Sequence, residues 1–374
     1  MATIKRKLIA NAKNILSGAR VKKKIVVFES DDWGSQRLSG ADALKGLLRE
    51  ELLENPCKND QVDTIARPED LSILFGLLSS YKGRDGECAK LTPYFNPVNP
   101  DFTRIKESGY QEYYYETFID ILDREGVGGT VKQMWNSALG EHIVSPQYHG
   151  REHLTFPVWM EALRSNESNA RKSFEYHYYA SSDLSLPPKA SKFLSSMFFR
   201  NEMQKKQIAD ALVDGINIMG DIFSQKPSVF APPNGVSHPY FDLVLAEKGI
   251  KAVHNPNRWE PDGNGNVYQA KSHGCYNSCG QLIYARNCVF EPVDVSYDAV
   301  DYCLTQIQGA FNWHKAAIIS THRLNYVGGI EKDNREKGIR ELDRLLKAIC
   351  SNWPDVQFMT TDQYINLVKE SENE

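Results

Sequence analysis

The sequence predicts an α/β protein built on a parallel sheet with helical crossovers, and three observations predict it. The second half of the chain alternates apolar runs of strand length with amphipathic runs of helix length. Near the start, the β-branched and aromatic run Ile25-Val26-Val27-Phe28 reads as a buried strand. That strand ends on two adjacent carboxylates, Asp31 and Asp32, followed by Trp33 and the turn-former Gly34. Finally, 374 residues with 41% hydrophobic and 25% charged side chains suffice for one elaborated α/β barrel or two modest domains. No internal repeat or low-complexity linker divides the chain, so a single domain over 25–374 behind a basic segment, 1–24, is the simplest organisation.

Taken in order, residues 1–24 carry eight Lys or Arg and no acid, with Ile4, Leu8, Ile9, Ala12, Ile15 and Leu16 at helical spacing. They form either a basic amphipathic helix suited to an anionic membrane surface or a terminal helix packed on the core. After the Asp-Asp strand, helices are expected over 41–53 and 68–81, the second with Pro68 in its first turn and Glu69 and Asp70 at its positive pole. A strand over 91–97 runs into the Pro- and Asn-rich stretch 96–101, a loop. Helices follow over 111–125 and 131–139, then a short strand over 143–148 that ends on His149. A helix over 156–164 precedes an irregular Tyr- and Ser-rich excursion over 166–187, a candidate lid. The stretch 189–223 reads as long helix in two pieces, broken near Asn201 or Gly215. Beyond it, strands over 228–231, 251–254, 282–289, 316–320 and 357–360 alternate with helices over 238–248, 298–313, 334–350 and 362–369.

Composition excludes several classes. A net charge of −4 provides no field favouring nucleic acid. Seven scattered cysteines, an odd number, fit reduced thiols and a cytoplasmic location. Charged residues interrupt every apolar run of the first 24, so no signal-peptide core is present, and no stretch approaches the roughly 20 apolar residues of a membrane span.

Three constellations carry chemistry. Two adjacent carboxylates at a strand end raise one another's pKa unless a cation intervenes, so Asp31-Asp32 calls for a metal or an acid/base role; a helix cap or solvated turn is the ordinary alternative. His149-Gly150-Arg151-Glu152-His153 places two imidazoles four residues apart. On an extended strand these lie about 13 Å apart, too far to share an ion, so the chain must coil directly after His149, which Gly150 permits. Asp32, His149 and His153 would then make a facial ligand set with positions open to water. Ile318-Ile319-Ser320-Thr321-His322 is a third buried strand that ends on a titratable group, His322, suited to act as an acid.

Together with Phe230-Ala231-Pro232-Pro233-Asn234-Gly235, these motifs resemble the polysaccharide deacetylase family of the NodB-homology type. The resemblance spans about 25–360 and is carried by short motifs rather than continuous similarity. It implies a distorted, seven-stranded (β/α) barrel, here with long insertions, that removes N- or O-acetyl groups from carbohydrate with one divalent metal. It assigns Asp31 as general base, Asp32, His149 and His153 as metal ligands and His322 as general acid. Zinc is the first expectation for the metal, with Ni, Co, Fe or Mn accepted by the same donors. Two departures stand out. Ala231 occupies the position where the family has an arginine that pairs with the base, so either Arg151 or Arg323 is expected to supply that charge or the base is tuned differently. The family's fourth motif has only Glu291-Pro292-Val293-Asp294 as a counterpart. Flat rings and amides suit polyhydroxylated ligands, so Trp33, Tyr326 and Asn96, with Arg151, Pro233 and Arg323, form the candidate substrate-binding set, with plain core or turn the equal alternative for the rings and the amide.

Two other readings compete. His149-x-x-Glu152-His153 also fits the inverted zinc-protease signature, which needs all five residues in one regular helix with Glu152 as base. A non-catalytic sugar-binding barrel would tolerate loss of Asp31 or His322, yet both are present. His273, Cys275, Cys279 and Cys288 are a weaker candidate structural zinc set, without a tight Cys-x-x-Cys knuckle. The expected partner is an acetylated carbohydrate, with peripheral membrane contact through 1–24 and no nucleic acid.

Overall fold

The computed structural model describes Asn14 and residues 19–53, 56–255, 257–270 and 275–372. Nine parallel strands make the main sheet: β1 (Ile25–Trp33), β2 (Leu91–Phe95), β3 (Gln147–Tyr148), β4 (Val229–Phe230), β5 (Ala252–His254), β6 (Leu282–Tyr284), β7 (Cys288–Val289), β8 (Ala317–His322) and β9 (Gln357–Phe358). Their order is β6-β5-β4-β3-β2-β1-β8-β7, with β9 pairing beside β1 off this path. The two ends of the row, β6 and β7, belong to one stretch of chain, 282–289. Its first half pairs with β5 and its second half with β8, so the sheet curls into a barrel joined through a single interrupted segment. Eight strands in a row, against seven expected, thus arise because the strand predicted over 282–289 breaks at 285–287. Arg286 sits in that break.

Alternation along β1 sorts the core. Ile25 and Val27 point into the barrel, where they meet Tyr94, Val229, Ala252, Tyr284 and Ile318. Val26 and Phe28 point outward into the layer of helices. Glu29 continues the inward row and is fully buried. Its Oε1 accepts from the hydroxyls of Tyr94, Tyr284 and Thr361, at 3.2, 2.8 and 2.6 Å. A buried carboxylate is tolerated only with such partners.

Several elements differ from the sequence expectation. The stretch 96–101 is not all loop, because Val98–Pro100 pairs antiparallel with Tyr115–Thr117. That ribbon takes the first part of the helix expected over 111–125 and leaves Phe118–Asp123 helical. The long helix begins only at Glu202, capped by the Asn201 side chain, and runs unbroken to Phe223. Gly215 lies within it and makes room for the Tyr148 hydroxyl rather than breaking it. The expected lid over 166–187 is instead part of a second apolar core: Phe174, Tyr178 and Tyr179 are buried with Trp159 and Leu163. The basic segment 1–24 lies mostly outside the described residues, as does His273 of the cysteine cluster. Cys288 is buried in β7, and all seven cysteines are free thiols. Among the described residues, no helix is long and apolar enough to cross a membrane.

Candidate metal and acid-base site

A cavity of about 460 Å3 opens at the carboxyl ends of β1, β3, β5 and β8, where parallel α/β sheets place their chemistry. Adjacent strand residues ordinarily face opposite sides, yet Asp31 and Asp32 both line this cavity. The backbone resolves the conflict. Asp32 adopts a left-handed conformation, φ 71°, and the β1–β2 register breaks between Ser30 and Trp33. A strained bulge therefore turns the second carboxylate to the same side as the first.

The two histidines arrive by the expected route. The strand stops at Tyr148, Gly150 takes φ 95°, and residues 150–154 coil without forming a helix. The Asn96 amide holds that coil, donating to the carbonyls of His149 at 2.7 Å and Gly150 at 3.2 Å. Asp32, His149 and His153 converge with their ligand atoms within 4.8 Å of one another, and all three are buried. Asp32 Oδ1 lies 3.4 Å from His149 Nε2 and 3.3 Å from His153 Nε2. His149 Nδ1 lies 2.6 Å from the Ala231 carbonyl, an acceptor, which puts the proton on Nδ1 and leaves Nε2 as a lone-pair donor. Burial opposes charge on both partners. It keeps His153 below its usual range, while the adjacent imidazoles hold Asp32 well below the carboxylate range. Two neutral imidazoles and one carboxylate are a donor set that fits a divalent metal.

Asp31 lies beside His322 in the β1–β8 register. Its carboxylate is gripped by Arg286, with Nη1 to Oδ2 at 2.5 Å and Nη2 to Oδ1 at 2.7 Å, while Arg286 Nε donates to Glu29 at 2.5 Å. Burial alone would neutralise Asp31, but the Arg286 fork outweighs it and keeps the carboxyl ionised far below its usual range. His322 is half-buried, with Nε2 3.8 Å from Asp31 and Nδ1 2.6 Å from Glu291 Oε1. Burial works against its charge. The Glu291 carboxylate prevails and the imidazole is pushed up to about 10. Asn325 in turn fixes Glu291, donating to Oε2 at 2.7 Å.

No protein-family model and no curated protein matches this sequence. Solved structures do. A candidate polysaccharide deacetylase from Mycobacterium smegmatis is 12% identical with a TM-score of 0.43, and the match covers 95% of each chain. A peptidoglycan deacetylase from Bacillus subtilis is 11% identical with a TM-score of 0.37 over 94% of each chain. A 4-alpha-glucanotransferase from Thermococcus litoralis is 10% identical with a TM-score of 0.46; 92% of this chain aligns, but it spans only 40% of that protein.

The structure brings Asp31, Asp32, His149, His153 and His322 together and removes most of the expected substrate contacts from the cavity wall. Trp33 is core, 1% exposed and packed edge-on against Trp135, its indole N–H donated to Ser30. Tyr326 is equally buried and shares a hydrogen bond with Thr321. Asn96 is fully buried and serves the histidine coil. Arg151 turns away to Glu152 at 2.7 Å and Asp214 at 3.0 Å, and Arg323 is spent on Asp63 and the Ser35 carbonyl. Neither reaches Asp31. The charge expected of them comes from Arg286, which sequence reasoning passed over inside a presumed continuous strand. Pro233 packs beneath the cavity while its neighbours Pro232 and Asn234 line it. Glu152, tied to Arg151 in a non-helical coil, is no part of the cavity, so the inverted-protease geometry is absent.

Proposed function

We propose that this protein is a metal-dependent hydrolase that removes an acetyl group from a carbohydrate. The observation that carries the reading is a division of labour across one cavity. A buried Asp32–His149–His153 set lines the same cavity as a carboxylate fixed by arginine and an imidazole fixed by glutamate. Held by those three ligands, a divalent ion (zinc first, with Ni, Co, Fe or Mn as alternatives) would polarise the acyl carbonyl and acidify a water. Asp31, ionised and oriented by Arg286, accepts the proton of the attacking water. His322, charged at neutral pH through Glu291, donates a proton to the departing amine or alcohol. The assignment needs one base and one acid poised in opposite protonation states, and the two ion pairs provide them.

The test is acetate release from N-acetylated and O-acetylated sugars by the full chain, with metal content measured alongside. Metal bound in equal proportion to protein, with acetate release lost in Asp31→Asn, supports the assignment. Tight sugar binding with no acetate released from any substrate would move the reading to a sugar-binding barrel.

A further inference from the structure

Arg37 has no role in the chemistry above, yet it lines the same cavity and is 8% exposed. Among the described residues its guanidinium makes only two ion-pair contacts, to Asp32 Oδ2 and Asp60 Oδ1, each at 3.9 Å and beyond hydrogen-bond range. The neighbouring acids turn most of their bonds elsewhere, although Asp63 Oδ2 is buried without a hydrogen-bond partner. Asp60 accepts from the Tyr178 hydroxyl at 2.9 Å and from the Cys57 backbone at 3.2 Å, with Lys192 3.6 Å away. Asp63 takes two bonds from Arg323, and Asp32 Oδ1 faces the two histidines. A planar fork of five donors thus stands at the cavity wall without an acceptor in hydrogen-bond range among the described residues.

The rest of the wall narrows what would satisfy it. Arg286 is bound to Asp31 and Glu29, and His322 to Glu291, so among the described residues Arg37 is the guanidinium lining the cavity that has no hydrogen-bonded carboxylate. Asn59, Asn234, Asn255 and Asn257 line it, and the buried Asn255 Nδ2 has no hydrogen-bond partner. Among the described residues no Trp, Tyr or Phe does, so the wall has no flat face on which a neutral sugar ring would stack.

We propose that the acetylated sugar taken by this site carries an oxyanion, a carboxylate or a phosphate, and that Arg37 receives it. The sugar rests on the deacetylase reading; the anion rests on Arg37 and the wall. The probes are N-acetylglucosamine, its 1- and 6-phosphates, and N-acetylmuramic acid. Affinity is read by calorimetry on the metal-loaded full chain carrying Asp31→Asn, and acetate release on the wild type. At least one anionic sugar is expected to bind roughly 10- to 100-fold more tightly than the neutral one, the range of a charge-assisted pair. That gap should shrink between low and high salt, close in Arg37→Met and persist in part in Arg37→Lys. Whether the phosphates or the muramic carboxylate gain more identifies the oxyanion. A purely structural Arg37 would weaken every sugar alike. Equal affinity for neutral and anionic sugars, or a gap untouched by Arg37→Met, overturns the proposal. Should Arg37→Met fail to fold, Arg37→Lys and the salt dependence of the Asp31→Asn protein carry the test. Acetate released with equal kcat/KM from neutral and anionic sugars sinks the anion and keeps the hydrolase. Arg37-dependent binding with no acetate from any sugar does the reverse.

Discussion

Arg286 joins the interrupted strand to Asp31, the proposed base, and its removal should be read twice, in stability and in rate. Arg286→Met keeps most of the side-chain volume but deletes three charge-assisted bonds to two buried carboxylates. Glu29 retains its three hydroxyl donors, whereas Asp31 keeps only His322 at 3.8 Å. Breaking a buried pair so as to strand its partner costs about 3–5 kcal/mol. For a chain of 374 residues that corresponds to a fall in Tm of about 5 °C. The pH dependence gives the cause away. In the wild type the Asp31 carboxyl lies below its usual value, so its ionised form stabilises the fold above the ordinary carboxylate range, and that contribution is lost as pH falls. In the variant only the neighbouring imidazoles oppose burial, so the same pKa rises, the ion is less favourable at neutral pH and protonation relieves it. The Tm deficit should therefore be largest near pH 7–8 and narrow toward pH 5. In the same variant the acid limb of kcat/KM should move up toward neutrality. Differential scanning calorimetry across pH 5–8, paired with a pH–rate profile, measures both. A deficit independent of pH together with an unmoved acid limb would refute the argument that Arg286 acts by holding Asp31 ionised.

Other residues separate the remaining roles. Glu291→Gln removes the charge that pushes the His322 imidazole up to about 10, so the alkaline limb of the pH–rate profile should fall from near 10 toward 6.5, the ordinary histidine value; an unchanged limb would exclude His322 as the acid. Asp31→Asn should abolish turnover while retaining the metal, whereas His149→Ala should lose the metal, both checked by metal analysis and acetate release. Trp33→Ala should destabilise by about 3–5 kcal/mol, as large-to-small core substitutions do, with KM unchanged, because the ring is buried against Trp135 and Phe95; a raised KM in a variant of wild-type stability would restore Trp33 to the substrate site. Deleting residues 1–20 should reduce flotation with anionic vesicles if the basic segment lies on a membrane, and equal partitioning would discard that contact.

The parts of this site legible in the sequence are those in which local pattern and chemistry coincide. Strand β1 opens on its apolar run and carries the two carboxylates near its end, and His149 and His153 had to leave the strand immediately because no extended geometry lets them meet. Gly150, the residue that makes this possible, stands between them in the sequence. The illegible parts are long-range. Trp33 and Tyr326 carry flat rings that suit a sugar, and nothing local distinguishes a ring at the site from a ring in the core. The bulge at Asp32 instead resets the alternation and directs Trp33 into the helix layer, and a turn after His322 buries Tyr326 beside Thr321.

Arg286 is the instructive omission. Its partner Asp31 is 255 residues away, and nothing in the stretch 282–289 announces a break, since its β-branched and aromatic residues read as one strand. The break follows from closure. One segment must pair with β5 on one side and β8 on the other, and its two halves satisfy those neighbours only with an irregular residue between them. A side chain at such a seam can cross the barrel mouth rather than alternate in or out. Only there can one guanidinium reach both Glu29, deep in the barrel, and Asp31, at its rim. The charge that holds Asp31 ionised therefore sits where ring closure demands irregularity.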